Sequence, residues 1–445
     1  MTAKLKEFPR ITVIGTGYLG ATHATCMAAL GCEVMGVDVD QTKIAKLASG
    51  ELPFFEPGLP ELLTKALDSG RLRFSTSFEE AAEFGDVHFI CVGTPQQPGS
   101  DACDLSYVDA AVRALAPHLS RRALIVGKST VPVGTARRLT DLLHDLAPAG
   151  TDVELAWNPE FLREGFAVDD TMNPDRLVFG VASEWAEQQL RAVFAPMLDQ
   201  GTPVIKTDLN TAELVKVAAN SFLATKISYI NAMAEVCEAT GADVHHLSTA
   251  LAYDDRIGGK FLRPGLGFGG GCLPKDIRAF AHRAEEIGAG QAVSFLREVD
   301  AINRRRRART VDLVRELLGG RLAGATIAAW GAAFKPNSDD IRDAPALDVA
   351  RTMHGLGAHV RVFDPAAVPN ARRAYPQLRF GTSAMDVARG ADVIVLLTEW
   401  SDFREIDPTA LAGVVAHKRI VDGRHALDAA AWRNAGWEYR ALGRP

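Results

Sequence analysis

No stretch of this 445-residue sequence approaches the roughly 18 consecutive apolar residues that a membrane-spanning helix requires. Positive charge is not in excess either. Lysine and arginine number 49 against 55 aspartates and glutamates, a net charge of −6, which argues against a nucleic-acid or anionic-membrane partner. The opening residues, Met1 to Arg10, lack the apolar segment of a secretory leader. The six cysteines (Cys26, Cys32, Cys91, Cys103, Cys237 and Cys272) are scattered, with no CxxC and no metal-ligand spacing. Neither a disulfide framework nor a zinc site is expected from them; reduced thiols in a cytoplasm are. What remains is a soluble globular composition, 47% hydrophobic and 23% charged, in a chain long enough for two or three domains.

The first domain is expected over residues 1–207. Ile11-Thr12-Val13-Ile14 reads as a buried parallel strand and runs straight into Gly15-Thr16-Gly17-Tyr18-Leu19-Gly20 and an alanine-rich helical pattern. A second strand, Glu33 to Val37, ends on Asp38. Strand, GxGxxG, helix, strand and acid together form the dinucleotide fingerprint. The glycines let a pyrophosphate approach the helix N-terminus. Asp38 can accept from both ribose hydroxyls and would repel a 2′-phosphate, so NAD is expected over NADP. Further strands follow at Asp86–Val92, Ala123–Val126, Val153–Ala156, Arg176–Val181 and Pro203–Lys206. The strand-end hydroxyls of Thr94 and Thr130 can reach a nicotinamide or its ribose, and helix capping accounts for them equally well. After the third of these strands Glu160 and Glu164 flank Arg163, a pattern suited to a polar ligand.

From Asp208 to about Ala239 no proline or glycine intervenes, which predicts one helix of about 45 Å with Asp208 as its N-cap and Gly241 as its stop. A helix this long suits a connector and can also pack against its own copy in a dimer. Lys216 and Asn220 share one face of it; a snorkelling lysine beside a backbone-bonded asparagine is the alternative. The central region, 208–320, then carries a loop with five glycines, Gly265-Leu266-Gly267-Phe268-Gly269-Gly270-Gly271, leading to Cys272-Leu273-Pro274-Lys275-Asp276. Pro274 suits a first helical turn, so the loop delivers Cys272 to a helix start, where the macrodipole and Lys275 favour a thiolate. The run Arg304–Arg307 is expected to form a solvated helix face. Residues 321–445 alternate strand and helix again without a GxGxxG. Lys335 and Arg342 lie after its first strand, where an anionic ligand would bind. The fold class is therefore α/β: two doubly wound Rossmann-like domains joined by a long central helix and a helical dimerisation region.

Eight ordered stretches extend this reading: GxGYLG at Gly15, KSTVPVGT at Lys128, NPEFLREG at Asn158, AELVKVAANSFLATKIS at Ala212, DDRIG at Asp254, GFGGGCLPKD at Gly267, AFKPNSDDIR at Ala333 and FDP at Phe363. Together they resemble the UDP-glucose/GDP-mannose dehydrogenase family. The resemblance implies oxidation of the C6 alcohol of a nucleotide sugar, UDP-glucose foremost, to a carboxylate with NAD. GDP-mannose and UDP-N-acetylmannosamine are the alternative substrates, and a non-catalytic nucleotide-sugar-binding regulator is the alternative class. It implies Cys272 as nucleophile, Lys216 and Asn220 at the developing oxyanion, and Asp276, Glu160 and Thr130 around the attacking water. Gly15, Gly17, Tyr18, Leu19, Gly20, Asp38, Lys43, Thr94, Thr130, Glu164, Lys275 and Arg342 are implied on the cofactor side. The sugar nucleotide is implied to meet Glu160, Phe161, Leu162, Lys216, Asn220, Lys260, Phe261, Leu262, Arg263, Gly265, Phe268, Gly269, Phe334 and Lys335, with Arg256 reaching it from the other subunit of a homodimer. The sequence departs from the family pattern at Phe166, Ala232, Arg263 and Gly271, the last where serine is usual.

Overall fold

The computed structural model describes residues 8–444, so most of the Met1–Arg10 stretch lies outside the described residues. Two compact units divide the chain, one ending at Ala219 and the other beginning at Asn220. In the first, eight strands form one sheet: β1 (Ile11–Ile14), β2 (Val34–Val37), β3 (Leu72–Ser75), β4 (Val87–Ile90), β5 (Ala123–Gly127), β6 (Val153–Trp157), β7 (Leu177–Gly180) and β8 (Val204–Thr207). Their order is β3-β2-β1-β4-β5-β6-β7-β8, parallel throughout except where β6 meets β7 at Trp157 and Gly180. Alternation along β1 explains why both faces are covered. Ile11 and Val13 pack with Met27 and Phe89 on one side, and Ile14 with Met35, Val112 and Leu139 on the other. Each such side chain contributes about 1.5–3 kcal/mol of burial.

The second unit repeats the plan with six parallel strands, β9 (Thr326–Trp330), β10 (His359–Phe363), β11 (Arg379–Phe380), β12 (Val393–Leu396), β13 (Arg419–Asp422) and β14 (Glu438–Ala441), ordered β11-β10-β9-β12-β13-β14. Both sheets reverse direction beside their first strand, the crevice where doubly wound folds bind ligands. Two doubly wound sheets and a long helix were expected, and they are found. The expectation passed over β3, β11 and β14.

The boundary between the units falls inside the 32-residue helix Leu209–Thr240. Asp208 caps it as expected, accepting from the Thr211 N–H at 2.9 Å and the Thr211 hydroxyl at 2.6 Å, and Gly241 ends it in a left-handed conformation (φ +74°). Within the first unit, the buried Glu213 of this helix accepts from the N–H groups of Gly134 (2.7 Å) and Ala136 (2.6 Å).

The Arg304–Arg307 run corrects the sequence expectation. Arg304 and Arg305 face water and pair with Asp300 (2.7 Å) and Glu298 (2.9 Å). Arg306, however, is fully buried and reaches Glu238 at 3.0 Å, and the buried Arg307 reaches Asp343 at 2.8 Å. Four consecutive residues of the helix Phe295–Leu317 sweep about 100° each, so they cannot share one solvated face.

Candidate active site

In the first unit the fingerprint is set by close packing. A Cβ on Gly20 would strike the Gly15 carbonyl oxygen, whereas the Cβ direction of Gly17 is open to at least 4 Å. The helix Tyr18–Ala29 starts at Gly17 with no side chain capping its first N–H groups. Open space over uncapped amides is what an incoming pyrophosphate needs. Asp38, at the end of β2, accepts from the Thr16 N–H (2.8 Å), the Thr16 hydroxyl (3.1 Å), the Asp40 N–H (3.1 Å) and Lys43 Nζ (2.8 Å). Burial alone would raise its pKa, but Lys43 and the two N–H donors outweigh that and hold it below the ordinary carboxylate range. These residues fit NAD: room at Gly17, free amides, and an ionised acid at the ribose position. Thr94 and Thr130 come together, the Thr94 hydroxyl donating to the Thr130 carbonyl at 2.8 Å, so Thr94 is not a helix cap.

On the loop after β6, Glu160 divides its carboxylate between two donors. One oxygen meets Lys216 Nζ at 2.9 Å and the other accepts the Leu162 N–H at 2.7 Å. Lys216 is 5% exposed, which removes the snorkelling alternative, and its ammonium stands 5.6 Å from the Phe161 ring centre. Beneath this loop the buried Lys128 donates to Asn158 Oδ1 at 2.9 Å, and Asn158 Nδ2 donates to the Val178 carbonyl. Burial pushes the Lys128 pKa down, against the pull of Cys91 and Glu160.

In the second unit, Cys272 is the N-cap of the helix Leu273–Glu286, with Pro274 in its first turn as expected. It is the exposed cysteine among the described residues. Burial pushes Cys26, Cys32 and Cys91 up to about 12 and raises Cys237 as well, so those thiols are poor nucleophiles. One turn after Cys272, Asp276 is 1% exposed and accepts Asn220 Nδ2 at 2.6 Å. Asn220 therefore serves a carboxylate rather than the backbone. Lys275, expected to favour the thiolate, pairs with Asp276.

The glycine run has a reason that the sequence does not show. A Cβ on Gly269 would meet the Asp343 carbonyl and Pro345, one on Gly270 the Phe334 ring at 2.8 Å, and one on Gly271 the Arg342 guanidinium. The segment after β9 thus lies directly on the loop. Farther back, Asn303 clamps Phe268, accepting its N–H at 2.7 Å and donating to its carbonyl at 2.9 Å. Gly265 donates to Asn231 at 2.9 Å, and Arg424 donates to the Gly267 carbonyl at 2.8 Å and to the Phe334 carbonyl at 3.3 Å. Leu262 and Phe268 are buried, whereas Arg263 and Lys260 stay exposed. Phe261 (φ +65°), Asn337 (φ +60°), Asp343 (φ +43°) and His425 (φ +53°) hold left-handed backbone in these same loops, a strain that concentrates at functional sites. Lys335 lies 5.5 Å from the ring centre of Phe334. Arg256 is exposed and forks onto Asp254 (2.6 and 3.0 Å), and Arg342 onto Asp340 (2.7 and 2.9 Å). Sequence reading missed Glu56, Glu213, Asn231, Asn303 and Arg424. All of them bind main-chain groups remote in sequence, and only the Asp422-Gly423-Arg424 triplet at the end of β13 offered a polar signal.

Comparison with known proteins finds matches along almost the whole chain. Residues 9–198 match the NAD binding domain of the UDP-glucose/GDP-mannose dehydrogenase family, residues 210–305 its central domain and residues 328–429 its UDP binding domain. The chain is 39% identical to the UDP-glucose 6-dehydrogenase TuaD of Bacillus subtilis over 98% of this chain and 93% of that one. It is 40% identical to a UDP-glucose 6-dehydrogenase of Pseudomonas aeruginosa over 98% of both. A UDP-glucose dehydrogenase structure from Pyrobaculum islandicum superposes with a TM-score of 0.92 at 35% identity, covering 100% of each chain. A UDP-D-ManNAc dehydrogenase structure from Pyrococcus horikoshii gives 0.85 at 29%, covering 98% and 99%. With all three family domains present in order, the chain belongs to the UDP-glucose/GDP-mannose dehydrogenase family.

Proposed function

We propose that the protein is an NAD-dependent UDP-glucose 6-dehydrogenase that carries the C6 alcohol to the carboxylate through a thioester on Cys272. The observation that carries this is Cys272 itself: an exposed thiol at a helix N-terminus, with the Asn220–Asp276 pair one turn on and the other cysteines withdrawn from water or half-buried. NAD, held by Gly15, Gly17, Gly20 and Asp38, supplies the hydride acceptor for each oxidation when bound. The chain's own residues do the rest. Lys216, an ammonium paired with Glu160 at 2.9 Å, steadies negative charge on the C6 oxygen and assists transfer of the hydroxyl proton to that carboxylate. The aldehyde so formed has no further hydride to give until the Cys272 thiolate adds to it. The new C–S bond makes a thiohemiacetal whose C–H can depart, leaving a thioester. Water, positioned by Asp276 with Asn220 and by Glu160 and Thr130, then breaks the C–S bond and returns the thiol. Arg342, Glu164, Lys275 and Thr94 are assigned to the cofactor. Phe161, Leu162, the 260–269 loop, Phe334 and Lys335 are assigned to the sugar nucleotide, and Arg256 to the neighbouring subunit's substrate. The division at 207 and 320 into cofactor, helical and UDP-sugar domains goes with this reading, as does a cytoplasmic location; among the described residues no helix is long and apolar enough to cross a membrane.

Two NADH per UDP-glucose, without free aldehyde, are expected when UDP-glucose, GDP-mannose and UDP-N-acetylmannosamine are compared side by side. A one-to-one ratio, or no turnover with any of the three, would refute the assignment. Turnover confined to one of the other sugars would move it to that substrate.

The homodimer is supported by the long helix. Phe222, Tyr229 and Val236 recur at seven-residue spacing and are 66%, 49% and 52% exposed, an apolar stripe of the kind that pairs helices. Phe222→Glu should convert a dimer to a monomer in sedimentation velocity; a variant that sediments like the wild type would argue against this stripe as the interface.

A further inference from the structure

Glu56 stands on the segment before the helix Leu59–Asp68 and is 2% exposed. One of its carboxylate oxygens accepts the Gly165 N–H at 2.6 Å together with the Tyr18 hydroxyl, and the other accepts the Ala167 N–H at 2.7 Å. The Gly165 N–H also lies 3.1 Å from the Tyr18 oxygen, and the Tyr18 ring packs on Phe54 at 4.8 Å. A buried carboxylate survives only where donors replace its water, and here they come from two distant segments. The first is Tyr18, the residue directly after Gly17 in the fingerprint. The second is the end of the loop that carries Glu160 and Glu164. Capping the short helix Ala167–Met172 would need only the two N–H groups. The Tyr18 hydroxyl is surplus to a cap and ties the fingerprint in.

We infer that Glu56 is a positioning residue, a latch through Tyr18 that couples occupancy of the dinucleotide fingerprint to the placement of Glu160 beside Lys216. The N–H of Tyr18 belongs to the uncapped first turn that a pyrophosphate would engage, so a ligand fixing that turn also fixes the hydroxyl on Glu56. Through Gly165 and Ala167 the carboxylate then holds the far end of the carboxylate loop. The latch rests on the NAD reading of this unit and adds a second task to it: the fingerprint reports its occupancy to the substrate carboxylate.

The test uses the full-length protein with Tyr18→Phe, Glu56→Gln and the double variant, measuring NAD affinity by calorimetry, kcat and KM for UDP-glucose, and thermal unfolding. Tyr18→Phe leaves the helix cap intact. It should weaken NAD binding about tenfold, the loss of one charge-assisted hydrogen bond, and should lower kcat with its melting temperature unchanged. Glu56→Gln should weaken NAD binding at least as much, and the double variant no more than Glu56→Gln alone. NAD affinity unchanged in Tyr18→Phe, or losses that multiply in the double variant, would overturn the latch. If Glu56→Gln fails to fold, Tyr18→Phe alone decides. A wild-type protein that binds no NAD would overturn the cofactor reading itself, and the latch with it.

Discussion

Replacing Cys272 with alanine is expected to abolish carboxylate formation while NAD still binds. No other cysteine can substitute. Cys26, Cys32, Cys91 and Cys237 are buried with raised pKa values, and Cys103 is half-buried in another loop. On the proposed route the first oxidation does not require sulfur; the second does, because an aldehyde lacks the tetrahedral C–H that a thiohemiacetal provides. Loss of a covalent nucleophile costs about 10⁴-fold or more, since the remaining groups have no bond to work on. Product analysis by chromatography, with NADH followed at a single turnover, checks it. Acid formed at anything near the wild-type rate would refute the thioester route. Iodoacetamide should modify the wild type rapidly at Cys272 and leave the buried thiols untouched.

Lys216→Met should damage both activity and stability, and the two losses should separate in a double variant. The side chains of Lys216 and Glu160 are 7% and 12% exposed, so removing the ammonium strands a carboxylate in a dry place. Breaking a buried pair from one side costs about 3–5 kcal/mol, more than the intact pair contributes. With Lys216 in the role proposed for it at the C6 oxygen, loss of its charge should lower kcat about 10²- to 10³-fold. Adding Glu160→Gln removes the stranded charge, so part of the stability should return in denaturant titrations while kcat stays low. Activity recovered together with stability would mean that Lys216 is a structural cation only.

Much of this was legible in the residues. β1, β2 and β4 are short apolar runs ending at glycine, an acid or a break, and Asp208 and Gly241 marked both ends of the long helix because capping is local chemistry. Cys272 and Asp276 could be placed for the same reason: they are four apart at a helix start. What could not be read depends on partners far along the chain. The edge strands β3 and β14 alternate apolar with polar or charged residues over four positions, too short a signal to separate from a loop. Asn303 and Arg307 sit on a helix dense in arginine, and nothing in that composition shows that two of its faces turn inward. Glu56 has no polar neighbour in sequence that would hint at Gly165, 109 residues on.

The glycines before Cys272 carry one more consequence. Because Gly269, Gly270 and Gly271 each lie against a different part of the 334–345 segment, the two stretches are cut to one another like key and lock. Arg342 occupies the volume that a side chain at position 271 would claim. A serine at 271 would therefore move the Arg342 guanidinium, the end of a flexible side chain, away from its present place beside Asp340.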